Sequence, residues 1–443
     1  MQNQGIRDAR SLGTPKMLVL GLQHMFAMFG ATVLVPALTG LSVSATLLFA
    51  GLGTLFFHFL TKGKVPAFLG SSFAYLAGYA AIAPNGETAL LPYACVGVAA
   101  SGLLYLILSA LVRGFGANRV MRFFPPVVTG PIIICIGMTL ANSAINNCTG
   151  SWDIALVAII TVVVFNIWGK GMLRIIPILL GVLVSYVYAA ITGRVDFSGV
   201  ASAAWIGLPV KMENTVFSLI GNCDMNLLVT AVIAIMPIAF ATMIEHIGDI
   251  CAISSTVGEN FIADPGLHRT LLGDGLATTI ASLFGASANT TYGENTGVLA
   301  LTRVYDPLVI RLAAVYAIIA SFCPKFAALV SAMPTGTIGG VSLILYGMIS
   351  AIGVRNLVEN QVDLSKSRNV IVVSLIISLA LGITFSAAGA ITFHVGEFTL
   401  NFSGLAVAAI VGIVVNAILP GKDYDFQNNY EYGKTTEDHG QML

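Results

Sequence analysis

Apolar stretches recur along the chain from Met17 to Leu419, separated by short polar or charged clusters. An apolar run of about 20 residues crosses the ~30 Å hydrocarbon core of a bilayer as a helix. The pattern therefore predicts a polytopic membrane protein. Fourteen spans are expected, near 17–38, 42–60, 65–82, 89–112, 124–145, 152–169, 173–192, 226–250, 270–286, 287–303, 307–323, 328–352, 369–387 and 400–420.

Two of these do not read as continuous helices. The tenth contains "ASANTTYGENTGVLALTR", Ala286–Arg303. Ser, Thr and Asn compete for backbone hydrogen bonds and favour extended forms. Only ten residues follow from Glu294 to Arg303, about 15 Å of helix and half of the hydrocarbon core. The third reads alike: "LGSS" from Leu69, then a short helix from about Phe73 to Ile82. Each break predicts an extended piece leading to a half-helix at mid-membrane. Backbone exposed at that depth must be buried in protein or line a cavity. Two such pieces can pair, leaving two half-helix N-termini with free N–H groups facing one central site. The plainer alternative is a pair of kinked packing helices.

Basic residues set the orientation. With the N-terminus inside, 18 of the 21 Lys and Arg fall on the inner side, and Arg194, Lys211 and Lys325 on the outer. That bias is the one the positive-inside rule requires. The polar loop 193–225 then lies outside and divides two halves of seven spans, which enter the membrane in opposite senses. Internal echoes agree: "LQHMFAMFG" in the first span with "IEHIGDICA" in the eighth, "FPPVVTGPIIICIG" in the fifth with "MPTGTIGGVSLILYG" in the twelfth, and the two breaks. The expected fold is an all-α membrane protein with a seven-plus-seven inverted repeat and two short extended strands breaking spans 3 and 10, an arrangement common in secondary transporters.

Composition narrows the partners. The 443 residues are 56% hydrophobic and 9% charged, with zero formal net charge. With no basic tract, nucleic acid is not an expected partner. The six cysteines show no paired spacing; Cys148 and Cys223 fall in expected outer loops, where a disulfide is feasible but not indicated. The N-terminus is short and polar, with no cleavable signal peptide expected.

Glu245, Asp249 and Glu294 are the acids best placed within spans. Glu245 and Asp249 are four apart and share a helix face. Carboxyls at mid-membrane are costly when ionised. Such a group can bind proton and substrate together and lose both together, or serve only as a polar lock between helices. Asp224 is expected in the outer loop, and Asp274 near the inner end of the ninth span, facing the interface. His24 and His246 are candidate proton relays or buried structural histidines. Phe73, Tyr75, Tyr292 and Tyr346 lie near the breaks or on the facing twelfth span and could sandwich a flat ring, or simply pack. No Ser-His-Asp or metal-ligand spacing supports an enzyme, a metal or a cofactor.

With these residues in view, the chain resembles the nucleobase–ascorbate transporter family. "ENTGVLALTR" fits that family's signature and Gln23-His24 its first-span motif. "LQHMFAMFGATVLVP", "LGSSFAYL", "DPGLHR", "TTYGENTGV" and "GGVSLILYG" resemble its bacterial uracil permease branch. The resemblance implies a core domain of spans 1–4 and 8–11 (17–112 and 226–323), a gate domain of spans 5–7 and 12–14 (124–192 and 328–420), an outer loop 193–225 and a cytoplasmic tail 421–443. It implies uracil import by proton symport, with core moving against gate. The alternatives are symport of a purine base, xanthine or uric acid, in the same family, or an anion transporter of the same wider fold. By motif position, Glu245 and Glu294 would bond the base, and the backbone amides of Phe73 and Gly293 would meet its carbonyls. Ala31, Phe73, Tyr292 and Tyr346 would enclose the ring. Glu245, Asp249 and Glu294 are the candidates for proton coupling, and Gln23, His24, Ser72 and Asn295 are supporting positions. Uracil carriers can have His four residues after the eighth-span Glu; this chain has Asp249 there, as many purine carriers do. No cofactor is implied beyond the coupling proton. A homodimer in a bacterial plasma (inner) membrane, both termini cytoplasmic, completes the expectation.

Overall fold

The computed structural model describes residues 5–84, 86–221, 223–395 and 398–421, with the side chains of Met172, Ile175, Glu294, His394, Val395 and 398–400 outside the described set. The first half runs α1 (Thr14–Thr39), α2 (Val43–Leu60), β1 (Leu69–Ser71), α3 (Leu76–Ile82), α4 (Leu91–Phe115), α5 (Pro126–Cys148), α6 (Trp152–Trp168) and α7 (Pro177–Ile191). The second half runs α8 (Met225–Ile235), α9 (Ala239–Val257), α10 (Leu267–Leu283), β2 (Asn289–Thr291) and α11 (Gly293–Thr302). It continues through α12 (Pro307–Ser321), α13 (Pro324–Ser331), α14 (Thr335–Glu359), α15 (Ser367–Thr384), β3 (Ala390–Val395), β4 (Phe398–Ser403) and α16 (Gly404–Ile418).

Helical structure falls in every stretch where the apolar pattern placed a span. Among the described residues, seven helices are long and apolar enough to cross a membrane, with α8 and α9 counted as one. Local chemistry fixes the ends. The Ser42 hydroxyl accepts from the Ala45 amide at 3.2 Å and starts α2. Asp306 accepts from Leu308 at 2.8 Å and starts α12. Asp224 accepts from Asn226 and Leu227 and starts α8, at the end of the loop where the sequence put it. Ring closure of Pro and the β-carbon-free backbone of Gly account for most remaining boundaries.

Without a hydrophobic drive between helices in lipid, close packing depends on small residues. A β-carbon on Gly353 of α14 would lie 2.6 Å from the Gly130 carbonyl of α5, so no larger residue fits that crossing. Gly51 of α2 meets the Ala314 carbonyl of α12 in the same way, again at 2.6 Å. Outward faces carry bare apolar side chains such as Ile107, Ile160 and Ile191, as expected of surface that lipid covers.

Two expectations are corrected. The twelfth apolar stretch was expected from residue 328, but α13 bends away from α12 by 88° and the long helix α14 begins only at Thr335. Pro324 and Pro334 stand at the two breaks, and each lacks the N–H that a through-going helix would need. Nor is the chain wholly helical outside the two breaks. The stretch 390–403 forms an antiparallel hairpin, with Ala390 opposite Ser403 and Val395 opposite Phe398. Its alternating Thr and aromatic residues suit a strand, and α16 starts at Gly404 rather than 400. The β4 strand packs on α8.

On one face of the molecule exposed ion pairs tie the connections. Arg7 pairs with Glu259, and Lys64 with Asp264. Hydrogen bonding to the Lys64 ammonium holds the Asp264 carboxyl below its ordinary range. Ile6 joins Arg303 and Tyr305 through two backbone hydrogen bonds of 2.8 Å.

Candidate binding site between two broken helices

The two extended breaks pair with each other. β1 and β2 run antiparallel, with Leu69 opposite Thr291, Gly70 opposite Thr290 and Ser71 opposite Asn289. The ladder continues at both ends, where Ser72 N–H donates to Ala288 O at 2.9 Å and Tyr292 N–H to Phe68 O at 3.0 Å. Outer edges are satisfied by one threonine on each side. Thr54 of α2 accepts from Leu69 N at 2.9 Å, and Thr278 of α10 donates to Asn289 O at 2.6 Å. Every residue of the pair is buried. Backbone polar groups of the pair are thus met by each other and by hydroxyls of Thr54, Thr278 and Tyr292, as a low-dielectric surrounding demands.

A helical start follows each strand. A single 3-10 turn, Phe73–Tyr75, leads into α3, and Tyr292 leads directly into α11. Neither N-cap side chain, Ser72 or Tyr292, accepts from a first-turn amide. First-turn N–H groups of a helix lack an internal partner, so both starts offer donors to a ligand.

Around them the structure gathers most of the residues singled out from the sequence. Phe73 and Tyr346 meet edge to face, ring centroids 5.7 Å apart. The Tyr292 hydroxyl donates to Ser71 O at 2.8 Å and lies 3.4 Å from Thr32 of α1, the residue after buried Ala31. Asp249 sits at the start of α11: its Oδ2 accepts from the Thr291 hydroxyl at 3.1 Å, and its Oδ1 would lie 3.6 Å from a β-carbon on Gly293. Glu245 is one turn earlier on the same helix and, like Asp249, is half-buried. The side chain of Glu294 lies outside the described residues. His24 of α1 and Asn295 of α11 join, with Asn295 Nδ2 donating to His24 O at 3.3 Å and lying 3.2 Å from Nδ1. Gln23 is half-buried beside His24, and Ser72 is buried.

The sequence did not single out Thr291, whose hydroxyl links α9 to the strand pair. It also misplaced Asp274. That residue is fully buried on α10, with Oδ2 3.5 Å from His246 Nδ1, rather than facing an interface. Its helix packs on α2, α4 and β2.

The sequence profile of the Permease family matches residues 15–389 of this chain. The chain belongs to that family. It is 42% identical over 437 residues to the uracil permease of Bacillus caldolyticus, covering 96% of each chain. It is 39% identical to the uracil permease of Bacillus subtilis (strain 168), covering 99% of this chain and 98% of that one. The uracil permease of Escherichia coli (strain K12) is 38% identical, at 90% coverage of both. Among solved structures, the transmembrane domain of the cyanobacterial bicarbonate transporter BicA aligns with TM-score 0.64 at 14% identity, covering 94% of this chain and all of that one. SLC26A9 aligns with TM-score 0.66 at 12% identity, covering 90% of this chain and 64% of that one. The likeness to these two is one of fold. This permease family member is a membrane transport protein, and its strand-paired breaks lie inside a transporter fold.

Proposed function

We propose that this protein imports uracil by symport with a proton. The observation that carries the reading is the pair of uncapped helix starts joined by β1 and β2, with the Asp249 carboxylate against Gly293 and Glu245 one turn away. Uracil offers two carbonyl oxygens and two ring N–H groups. The amides of Phe73 and Gly293 suit the carbonyls; Glu245 and Glu294 suit the N–H groups. Ala31, Phe73, Tyr292 and Tyr346 form walls for a flat ring. High identity to several uracil permeases supports the choice of base.

All fourteen apolar segments take part in the proposed topology, seven in each inverted half, with both termini cytoplasmic in a bacterial inner membrane. The core comprises 17–112 and 226–323, the gate 124–192 and 328–420, and two protomers form a dimer. Tyr346 sits on α14, which packs mainly on α5, α6 and α7 of the gate, while Phe73 belongs to the core. Substrate is thus held at the seam, and sliding of one domain past the other changes its access. Asp249, Glu245 and Glu294 are the proton-coupling candidates.

A purine base is the second reading, favoured by Asp249 in place of a histidine. An anion is disfavoured: the Asp249 carboxylate sits at the helix start and opposes the positive end of the dipole. Uptake of radiolabelled uracil into proteoliposomes tests the proposal. Accumulation driven by an inward proton gradient and blocked by unlabelled uracil is the expected result. Accumulation of xanthine instead, or of neither base, overturns it.

A further inference from the structure

The outer loop 193–225 is not polar throughout. No charged residue stands between Asp196 and Lys211, and that stretch contains "AAWIGLPV", Ala203–Val210. Ile206 and Leu208 are the two most exposed large apolar side chains among the described residues, at 84% and 82%, and Trp205 is 73% exposed. Apolar side chains leave water wherever the backbone allows it. Here the backbone is held. Gly207 N–H donates to Phe322 O at 3.0 Å, and Lys325 N–H donates to Ala204 O at 2.9 Å. A β-carbon on Gly207 would lie 2.6 Å from the Pro324 ring, so the chain rests directly on the corner between α12 and α13. The Lys325 ammonium donates to Val200 O at 2.9 Å and to Ala201 O at 3.3 Å, and lies 5.2 Å from the centre of the Trp205 ring. Further on, Pro209 is buried and Val210 packs against Ala45 and Phe49 of α2. Trp205, Ile206 and Leu208 therefore form a ridge that the fold holds out from the protein.

The level of the ridge follows from its neighbours. α13 leaves α12 at 88°, so where α12 runs across the bilayer, α13 runs along its surface. The end of α12 carries exposed Ile319, and exposed Phe322 follows it. These belong to the apolar surface that lipid covers, and Phe322 is the residue to which Gly207 bonds. The ridge continues that surface. A contiguous exposed apolar patch marks a contact with protein or membrane. Trp settles where headgroups meet acyl chains, and Lys lays its stem on apolar surface with its ammonium in water. The other two tryptophans, Trp152 and Trp168, stand exposed at the two ends of α6.

We infer that Trp205, Ile206 and Leu208 are a lipid anchor, seated at the headgroup–acyl boundary of the outer leaflet. The anchor fixes the depth of the outer end of α12, a helix of the proposed core. Its other support, α2, belongs to the same proposed domain. The gate reaches this region at Tyr186 of α7, whose hydroxyl donates to Leu329 O at 2.9 Å and whose ring lies 6.1 Å from that of Phe197. A loop that the sequence places in water as a connection between the halves is thus a part of the membrane-bound surface.

The test is depth-dependent fluorescence quenching in phosphatidylcholine proteoliposomes. Trp152→Phe with Trp168→Phe leaves Trp205 as the one remaining tryptophan. Its emission should lie to the blue of tryptophan in water. It should fall when the lipid carries bromine on its acyl chains, more with bromine near the headgroup than near the chain ends. Iodide in the buffer on both sides should quench it weakly. Adding Ile206→Glu and Leu208→Glu should reverse the two responses, since a carboxylate resists entering the apolar boundary. Quenching of Trp205 by iodide and not by brominated lipid would place the ridge in water and overturn the inference. Protection from both quenchers would overturn it as well, with a second copy of the chain over the ridge. If the two-Phe variant does not fold, Trp205→Phe in the otherwise unaltered protein reads the same quantity as a difference. The emission quenched by brominated lipid must then drop, and an unchanged amount sinks the anchor. No uracil enters these measurements, so the transport reading stands or falls separately.

Discussion

The two breaks share a scaffold and differ in chemistry. In the first half, β1 leads through a 3-10 turn into a helix of seven residues, "LAGYAAI", with no acid or amide. In the second half, β2 leads into ten residues that begin Gly-Glu-Asn, beside Asp249. Both strands are braced by one threonine from the preceding helix, Thr54 or Thr278. The supporting contacts are alike in the two halves, and the residues that follow each strand are not. The difference teaches that both breaks present uncapped helix starts, while the second half alone sets acids, Glu245 and Asp249, near one of them. The uracil proposed as substrate, with carbonyls and N–H groups on one flat ring, suits such an unequal pair.

That asymmetry can be broken directly. Glu294→Gln or Glu245→Gln should have the largest effect on transport. Losing a charge-assisted hydrogen bond costs about 1.5–3 kcal/mol, so uracil binding measured by calorimetry should fall by roughly 10- to 150-fold at constant fold. Unchanged binding would sink the proposed site. Next comes the apolar side of the comparison. Phe73→Ala removes one wall and should weaken binding by about 1–3 kcal/mol, the usual worth of stacking a base on an aromatic ring, with little change in pH profile.

The scaffold should lose stability on both sides, more at the first break. Thr54→Val deprives the buried Leu69 amide of its partner and should cost about 1–3 kcal/mol, read as a lower melting temperature in detergent. Thr278→Val removes a donor from Asn289 O and should cost about 1 kcal/mol. A large transport defect from either without loss of stability would mean that the threonines do more than brace. Lys64→Ala stands last. The pair with Asp264 is exposed, and such pairs are worth about 0–1 kcal/mol; uptake should be unaffected.

The breaks were legible in the sequence because hydroxyl and amide residues stand where an apolar helix should continue, and because a half-helix is too short to cross. Helix positions were legible for the same reason that hydropathy works at all: lipid tolerates little else. Other features were not. A break near the 88° corner after α12 was expected, but the separate short helix α13 was not: residues 328–331 are apolar enough to pass for the start of the next span, and only Pro334 marks where α14 begins. The hairpin at 390–403 reads as the flanks of two helices, since hydropathy alone does not separate a short apolar strand from the end of an apolar helix. Asp274 could not be placed from its own helix. Its burial depends on what α4, α9 and β2 bring to it, and Thr291 gains meaning only once β2 is laid against α9.

The strand pair also constrains how the molecule is made. Leu69, Gly70 and Ser71 find their backbone partners in Thr291, Thr290 and Asn289, which a ribosome adds only after the whole first half and the intervening loop. Until then the first break has Thr54 on one edge and nothing on the other. A newly inserted first half therefore carries an open backbone edge at a depth where lipid offers no substitute. Completing that edge must come late in biogenesis, and it joins the two halves in a single step. A chain halted before β2 should be a substrate for membrane quality control, not a half-transporter waiting for its other half.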